Sequence, residues 1–291
     1  MHCIWCRWFL WSICWGKRYT LCRPLVARIT SYPLQAPRNH KAKATSMTIN
    51  YDALASDYIN YRIPDARIAS AIRKHIPAGS RVLNVGAGQG SYEPENCNVV
   101  ALEPSREMIS RRPPDKRSAI RGLAESMPFA DNCFDISLAI LTIHHWHNIQ
   151  KGLSEMKRVT CQKTIILTWN GDFGDFWLPD YFPEIAHIDT GLFPSIHKIC
   201  GLLSDATEID IVEIPHDCTD GFMCAYWRRP KTYLNTAARN AISTFSRLND
   251  LDDGLKHLQS DIESGVWRKR YSSILQKDKL DCGYRLLISN L

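Results

Sequence analysis

The sequence lacks an uninterrupted apolar run long enough to cross a bilayer as a helix, which takes about 20 residues. Its most apolar stretch runs from Ile4 to Trp15 and is interrupted by Arg7. A secretory signal would have an unbroken apolar core followed by a small-residue cleavage site, and neither is present. We therefore predict that the chain makes no stable membrane insertion.

Acidic residues are absent from residues 1–46, which hold eight of the 36 lysines and arginines. The remainder of the chain has 28 basic and 30 acidic residues, so its net charge is −2, although the whole sequence has +6. A nucleic-acid-binding protein carries its basic surface on the folded body, and we therefore predict no nucleic-acid partner. We interpret residues 1–46 as a leader, either disordered or an over-extended start before Met47. Targeting or contact with a membrane surface is the alternative.

Cysteine pairs with the spacing of metal ligands are absent after residue 46. Seven cysteines lie there, an odd number at irregular spacing, and none forms a C-x-x-C pair. Cys3 and Cys6 do form one, but a structural zinc site needs a second pair of ligands. The sequence therefore predicts free thiols in a reducing compartment, the cytoplasm, and no metal site.

Strand and helix patterns alternate along residues 65–169. Asp65 precedes isoleucines at positions 68, 72 and 76, which share one helical face, and residues 148–159 have a second such face. A short helix is expected from Pro104. Five apolar segments are typical of buried strands, namely 81–85, 98–103, 117–122, 134–143 and 163–169. This alternation predicts an α/β fold with a doubly wound, Rossmann-like, mostly parallel sheet.

Two further predicted strands, 208–215 and 284–289, bring the sheet to about seven strands. The segments before each of them, about 170–207 and 216–282, are aromatic and turn-rich or mainly helical and charged. We predict that both belong to a cap on a single domain of residues 47–291. The aromatic stretch 170–183 is expected to be a lid or a pocket wall of that cap.

A glycine-rich turn follows the first predicted strand, in the sequence RVLNVGAGQG (81–90). Glycines let the backbone approach a ligand closely at the carboxyl end of a strand. No Gly-Lys-Ser/Thr follows, which excludes a nucleoside-triphosphate P-loop, and Ser91 stands where the dinucleotide fingerprint has its third glycine. Glu103 ends the next strand, where a carboxylate can accept both hydroxyls of a ribose. These residues predict a ligand that contains a ribose.

The third predicted strand is followed by GLAESMPFADNCFD (122–135), and the fourth ends in IHHWH (143–147). In this order and at these distances, the motifs of residues 51–169 resemble those of the class I S-adenosylmethionine-dependent methyltransferases, especially the group called methyltransferase type 11. The resemblance implies S-adenosylmethionine as the cofactor and methyl transfer as the reaction. It implies cofactor-binding roles for Asn84, Gly86, Gly88, Gly90, Glu103, Ser105, Met108, Ala124, Glu125, Ala139 and Ile140.

Three positions depart from the family pattern. Asn84 and Leu123 stand where the family usually has aspartate, which weakens a contact to the cofactor's ammonium and leaves the adenine amine to Glu125. Pro94 follows the glycines so closely that the first helix of the sheet is predicted to be very short. These departures motivate one alternative, a non-catalytic methyltransferase-like binding module. An NAD-dependent dehydrogenase of the same sheet type is the other.

The sequence predicts a small-molecule acceptor, because the aromatic segments 173–182 and 222–227 suit an enclosed and mostly apolar pocket. A base is needed only if the acceptor has to lose a proton. Its candidates are His144 and His145, for which packing is the alternative role. The residues predicted to contact the acceptor are Tyr58, Arg62, Trp177, Trp227 and Arg228.

Overall fold

The computed structural model describes residues 60–116, 119–204 and 206–291, so the predicted leader and Tyr58 lie outside the described residues. A seven-stranded sheet has the order β3-β2-β1-β4-β5-β9-β6. The strands are β1 (Arg81–Val85), β2 (Asn98–Glu103), β3 (Ile120–Arg121), β4 (Phe134–Ile140), β5 (Thr160–Trp169), β6 (Glu208–Ile211), β7 (Ile214–Pro215), β8 (Lys279–Leu280) and β9 (Tyr284–Asn290). Neighbours from β3 to β5 are parallel, whereas β9 is antiparallel to both β5 and β6. The predicted doubly wound, mostly parallel sheet is confirmed.

Both faces of this sheet are buried. Successive side chains of a strand point to opposite faces. Val82, Leu138 and Ile165 accordingly belong to one hydrophobic cluster, whereas Leu83 and Ile166 belong to a second. Burial of such a side chain contributes about 1.5–3 kcal/mol, so the continuous apolar runs stabilise a sheet covered on both sides.

Three helices alternate with the parallel strands, as predicted. They are α1 (Ala66–Arg73), α2 (Arg106–Ser110) and α3 (Ile149–Val159). Each begins after a side chain that accepts a backbone N–H of the first turn, from Asp65, Ser105 and Asn148 respectively. The expected start of the second helix at Pro104 is wrong by two residues, because Ser105 is its N-cap.

Three local predictions are corrected by the structure. Residues 86–97, expected to include a very short helix, form turns. The third strand is limited to Ile120–Arg121 within the described residues. The segment 208–215 is divided into β6, which pairs with β9, and β7, which pairs with β8 in a separate two-stranded ribbon.

The segments predicted as a cap contain the remaining helices. These are α4 (Leu178–Tyr181), α5 (Glu184–Leu192), α6 (Ile196–Leu203), α7 (Thr236–Asn240), α8 (Asp252–Glu263) and α9 (Val266–Arg270), with 3₁₀ turns at 230–234, 245–247 and 274–276. The residues Ile199 and Leu203 of α6 share a hydrophobic cluster with Leu153 and Met156 of α3. Helix α6 therefore belongs to the layer that covers the sheet. None of the helices within the described ranges combines the length and the apolar character needed to cross a bilayer.

The aromatic stretch after β5 is mainly part of the core. Phe176, Trp177, Tyr181 and Phe182 are all buried and do not border the cavity described below. Phe173, from the same stretch, does border it. The expectation of a lid is therefore wrong for most of this segment. The seven cysteines after residue 46 are reduced, and three of them, Cys218, Cys224 and Cys282, are buried.

Candidate functional site

A cavity of about 430 Å³ lies at the carboxyl ends of the parallel strands. Its wall includes residues 86–89 after β1, 103–105 at the end of β2, 140–142 after β4, and Trp169 at the end of β5. This crevice is where open α/β sheets bind their ligands. Much of the opposite wall comes from segments after β5, with Phe193, Phe222, Ile242 and Tyr284 among its residues, and that half is mainly aromatic and aliphatic.

The glycine turn brings its backbone to the cavity, and at Gly86 no side chain fits. Gly86 and Gly88 have φ values of 66° and 50°, in the left-handed region that glycine adopts readily. A Cβ on Gly86 would also lie 2.0 Å from the Thr142 hydroxyl oxygen. Gly90 does not line the cavity; its Cβ position faces Glu93 and Arg112 instead.

A buried ion pair supports this turn from behind. The Arg112 guanidinium lies 2.8 Å from the Glu93 carboxylate, and the two side chains are only 3% and 5% exposed. Arg112 also donates to the Gly88 carbonyl oxygen at 3.1 Å, and the Asn84 amide donates to Glu93 at 3.1 Å. Glu93 thus places a carboxylate beside Asn84, but behind the turn and outside the cavity wall. Neither member of this pair was among the residues predicted from the sequence.

The Glu103 carboxylate is held rigidly at the cavity wall. One oxygen accepts the Gly88 backbone N–H at 2.9 Å, and the other accepts the Ser105 N–H at the same distance. The residue is 6% exposed and borders the cavity. Since each carboxylate oxygen can accept two hydrogen bonds, both retain capacity for a ligand hydroxyl.

The other residues predicted to bind the cofactor divide into two groups. Those that border the cavity, besides the residues already described, are Asn84, Ser105, Met108, Ala124 and Ile140. Glu125 and Ala139 do not. The Glu125 carboxylate accepts the Asn148 backbone N–H at 3.0 Å at the start of α3, and Ala139 faces the hydrophobic cluster of Leu83.

Two further residues of the cavity wall have strained backbones. Tyr92 and Leu141 have φ values of 63° and 50°. For residues other than glycine, such conformations cost about 1–3 kcal/mol each, and they concentrate at functional sites. A hydrogen bond to β5 helps to hold the Leu141 conformation at the end of β4, because the Leu141 N–H donates to the Leu167 carbonyl oxygen at 2.8 Å.

Both candidate histidines border the cavity, and both are neutral at pH 7. His144 stacks on Phe193 with ring centroids 4.0 Å apart, and its buried Nδ1 has no hydrogen-bond partner. Burial holds the pKa of His144 well below its ordinary 6.5. Desolvation by surrounding protein atoms, together with the charges of Arg247 and Arg62, lowers the pKa of His145 to about 4, although the residue keeps an exposed surface.

The structure adds an acidic residue that the sequence analysis missed. Asp189 of α5 is 4% exposed and borders the cavity. Its Oδ1 accepts the Thr244 hydroxyl at 2.7 Å, and burial raises the pKa of this carboxyl to about 6. The signal in the sequence is helical spacing, because Asp189 follows the buried Ile185 by four residues and so shares its face.

Of the four described residues predicted to contact the acceptor, only Arg62 borders the cavity, where it pairs with Asp220 at 2.5 Å. Trp177 and Trp227 are 1% and 0% exposed and lie in the core. Their indole N–H groups donate to the carbonyl oxygens of residues 227 and 214. Both rings are therefore core side chains whose polar group already has a partner within the protein. Arg228 donates to the carbonyl oxygen of Lys277, away from the cavity. These three predictions are therefore corrected.

The described residues contain no group of three or more His, Cys, Asp or Glu side chains placed to hold a metal ion. The cavity wall presents backbone, carboxylate and aromatic groups to a ligand.

Comparisons with known proteins agree with this geometry. A family model described as a methyltransferase domain matches residues 83–168. A solved protein of Anabaena variabilis, assigned as a methyltransferase from an antibiotic biosynthesis pathway, is 31% identical with a TM-score of 0.74. That match covers 80% of this chain and 100% of the other.

Two curated relatives match over shorter stretches. Demethylmenaquinone methyltransferase of Renibacterium salmoninarum is 40% identical over 89 residues, which are 28% of this chain and 37% of that protein. The tRNA (carboxymethyluridine(34)-5-O)-methyltransferase of Schizosaccharomyces pombe is 29% identical over 114 residues, 38% of this chain and 48% of that protein. The chain spans less than half the length of these curated relatives. The match to the Anabaena variabilis protein over 80% of this chain overturns the alternative of a dehydrogenase. The sheet and the glycine turn agree with that match, and the chain belongs to the class I S-adenosylmethionine-dependent methyltransferases.

Proposed function

We propose that this protein transfers the methyl group of S-adenosylmethionine to a small-molecule acceptor. The observation that supports this most is a single cavity that joins the glycine turn and Glu103 to a wall of aromatic side chains. Its volume of about 430 Å³ is within the range of small-molecule sites. One half offers polar and backbone groups for a cofactor, and the other half offers an apolar surface for an acceptor.

The residues of the first half fit S-adenosylmethionine. The Gln89 amide nitrogen is buried at the cavity without a hydrogen-bond partner, and the methionine carboxylate would satisfy it. Glu103 would accept the ribose hydroxyls with its remaining lone pairs. Ser105, Met108 and Ala124 would border the adenosine, and Ile140 the methionine portion. The prediction that Glu125 binds the adenine amine loses support, because its carboxylate caps α3.

S-adenosylmethionine supplies a methyl group on a positively charged sulfur, which is already activated for displacement. The protein's own contribution is then to hold the acceptor in line and to exclude water. Leu141, Phe193 and Phe222 form apolar wall for that purpose. The neutral His144 and His145 add no positive charge that would oppose the cofactor's sulfonium.

A small acceptor is supported by the enclosed shape and aromatic lining of the second half. The net charge of −2 after residue 46 supports the prediction that nucleic acid is not the substrate. This prediction needs a direct test, because one of the relatives is a tRNA methyltransferase. The seven free thiols support the proposed cytoplasmic location.

The cofactor is tested by calorimetry with S-adenosylhomocysteine. We expect binding that Glu103→Gln weakens by about 10- to 150-fold, because a charge-assisted hydrogen bond is worth about 1.5–3 kcal/mol. Glu208→Gln, at an exposed position of β6, is the control and should bind like the wild type. Absence of binding would overturn the proposal.

The acceptor is tested by transfer of labelled methyl groups to a small-molecule extract and, separately, to purified tRNA. Incorporation into the small-molecule fraction alone is expected. Incorporation into tRNA would refute the acceptor class. Cofactor binding with no incorporation into either pool would indicate the non-catalytic module.

A further inference from the structure

The acceptor half of the cavity contains one carboxylate without a counter-ion. Asp189 borders the cavity and is 4% exposed, and its single side-chain hydrogen bond comes from the Thr244 hydroxyl to Oδ1. Its other oxygen, Oδ2, has no partner among the described residues, and no lysine or arginine lies within ion-pair distance. A buried carboxylate without such a partner destabilises the fold, so its position at a cavity wall calls for a function.

The side chains around this carboxylate suit a flat, mostly apolar ligand. Trp169, Phe193, Phe222 and Tyr284 border the same cavity. Thr244 fixes the orientation of Asp189 through Oδ1 and leaves Oδ2 as the atom that can meet a polar group of the ligand. We propose, resting on the function proposed above, that Asp189 is the base that takes the proton from an aromatic or enolic hydroxyl of the acceptor.

The bonds and electrons of this step balance. The acceptor O–H bond breaks, and its proton moves to Oδ2 of Asp189. The acceptor oxygen forms a bond to the methyl carbon supplied by S-adenosylmethionine, and the methyl–sulfur bond breaks with both electrons remaining on sulfur. The products are a methyl ether and S-adenosylhomocysteine, and the carboxylic acid of Asp189 returns its proton to water.

A hydroxyl fits this site better than an amine. A carboxylate would hold an amine as its ammonium ion, which has no lone pair with which to attack. The charge of Arg247 also acts on Asp189 and on both histidines, whereas Arg62 is paired with Asp220, so Arg247 gives this region a positive field. That field opposes an ammonium and favours the negative charge that develops on a hydroxyl oxygen.

Burial raises the pKa of Asp189 to about 6, while the Thr244 hydroxyl and Arg247 oppose that rise. Such a value suits a base that operates near neutral pH, because the carboxylate is ionised there yet more basic than an exposed one. His144 and His145 are weaker candidates, since burial lowers the pKa of each.

The test uses the whole protein saturated with S-adenosylhomocysteine and titrated with 4-nitrophenol, whose absorbance reports ionisation. Below the pKa of the probe's hydroxyl, at pH 6.5, we expect Asp189→Asn to bind it about 10-fold or more weakly than the wild type. At pH 9 the probe is an anion that the Asp189 carboxylate repels, so the variant should bind it at least as tightly as the wild type. A merely structural role would not reverse the order.

Asp261→Asn is the matched control, because Asp261 is also a buried aspartate that accepts a hydroxyl, from Tyr181 at 2.7 Å, but lies outside the cavity. It should bind the probe like the wild type at both pH values. Equal loss at both values in Asp189→Asn, or no binding of the probe by the wild type, would overturn the inference. Because S-adenosylhomocysteine affinity is measured first in each variant, failure of cofactor binding is distinguished from failure at Asp189.

Discussion

The ion pair behind the glycine turn gives the sharpest test of how the turn is held. Glu93 and Arg112 are almost completely buried, and their side chains meet at 2.8 Å. Removal of Arg112 leaves the buried Glu93 charge with the Asn84 amide but without its cation, and breaking a buried pair of this kind costs about 3–5 kcal/mol. We therefore expect Arg112→Met and Glu93→Gln each to lower the free energy of unfolding by about that amount. For a domain of this size, that is a fall in Tm of about 6–20 °C.

The same substitutions should weaken cofactor binding. Arg112 donates to the Gly88 carbonyl oxygen, and Glu93 accepts from Asn84, so either change releases the backbone that faces the cavity. The assay is urea unfolding combined with calorimetry of S-adenosylhomocysteine binding, on both single variants and the double variant. Because the pair acts as a unit, the double variant should lose little more stability than either single one.

An exposed ion pair serves as the control. Arg81 lies 2.7 Å from Asp135, but its side chain is 49% exposed, and such pairs contribute about 0–1 kcal/mol. Arg81→Met should therefore change stability by less than about 1 kcal/mol and leave cofactor affinity unchanged. If the two buried variants behave like this control, or if their effects add in the double variant, the pair does not support the turn.

Three further predictions follow from single residues. Gly86→Ala should abolish S-adenosylhomocysteine binding, because its Cβ would meet Thr142 at 2.0 Å, whereas Gly79→Ala, also at positive φ but with open space, should cost only about 1–2 kcal/mol of stability. Trp227→Ala should lower the free energy of unfolding by about 3–5 kcal/mol, since its side chain is fully buried, and urea unfolding that shows a loss below 1 kcal/mol would contradict its assignment to the core. Burial raises the pKa of Asp189 from 3.8 to about 6 in the folded state, so the destabilising contribution of this carboxylate should disappear as the pH falls from 6 to 4. Asp189→Asn should be more stable than the wild type by up to about 3 kcal/mol at pH 8, and a difference that does not shrink towards pH 4 would contradict this.

Much of the fold could be predicted because local patterns decide it. The apolar runs of β1, β4 and β5 and the cap residues Asp65 and Asn148 act within a few positions of the chain. The same is true of the glycine turn and of Glu103, which the structure places together at one cavity.

The rest depends on contacts between distant positions. Nothing in the local sequence pairs Glu93 with Arg112 across a turn and a strand. Aromatic composition does not distinguish a core from a pocket, because both are apolar, and so Trp177 and Trp227 were predicted in the wrong place. Asp189 was recognisable by its helical spacing from Ile185, but its role depends on Thr244, which lies far along the chain.

The position of β9 has a consequence for how the chain folds. It lies between β5 and β6 in the sheet, and its Tyr284 pairs with Trp169, about 115 residues earlier. Contacts at such separation form slowly, because a long loop has to close before they stabilise the chain. Until β9 arrives, the buried residues of β5 present an open edge that other chains can join. We therefore expect aggregation during refolding to increase with protein concentration, and a soluble peptide of residues 284–290, added during refolding, to reduce it.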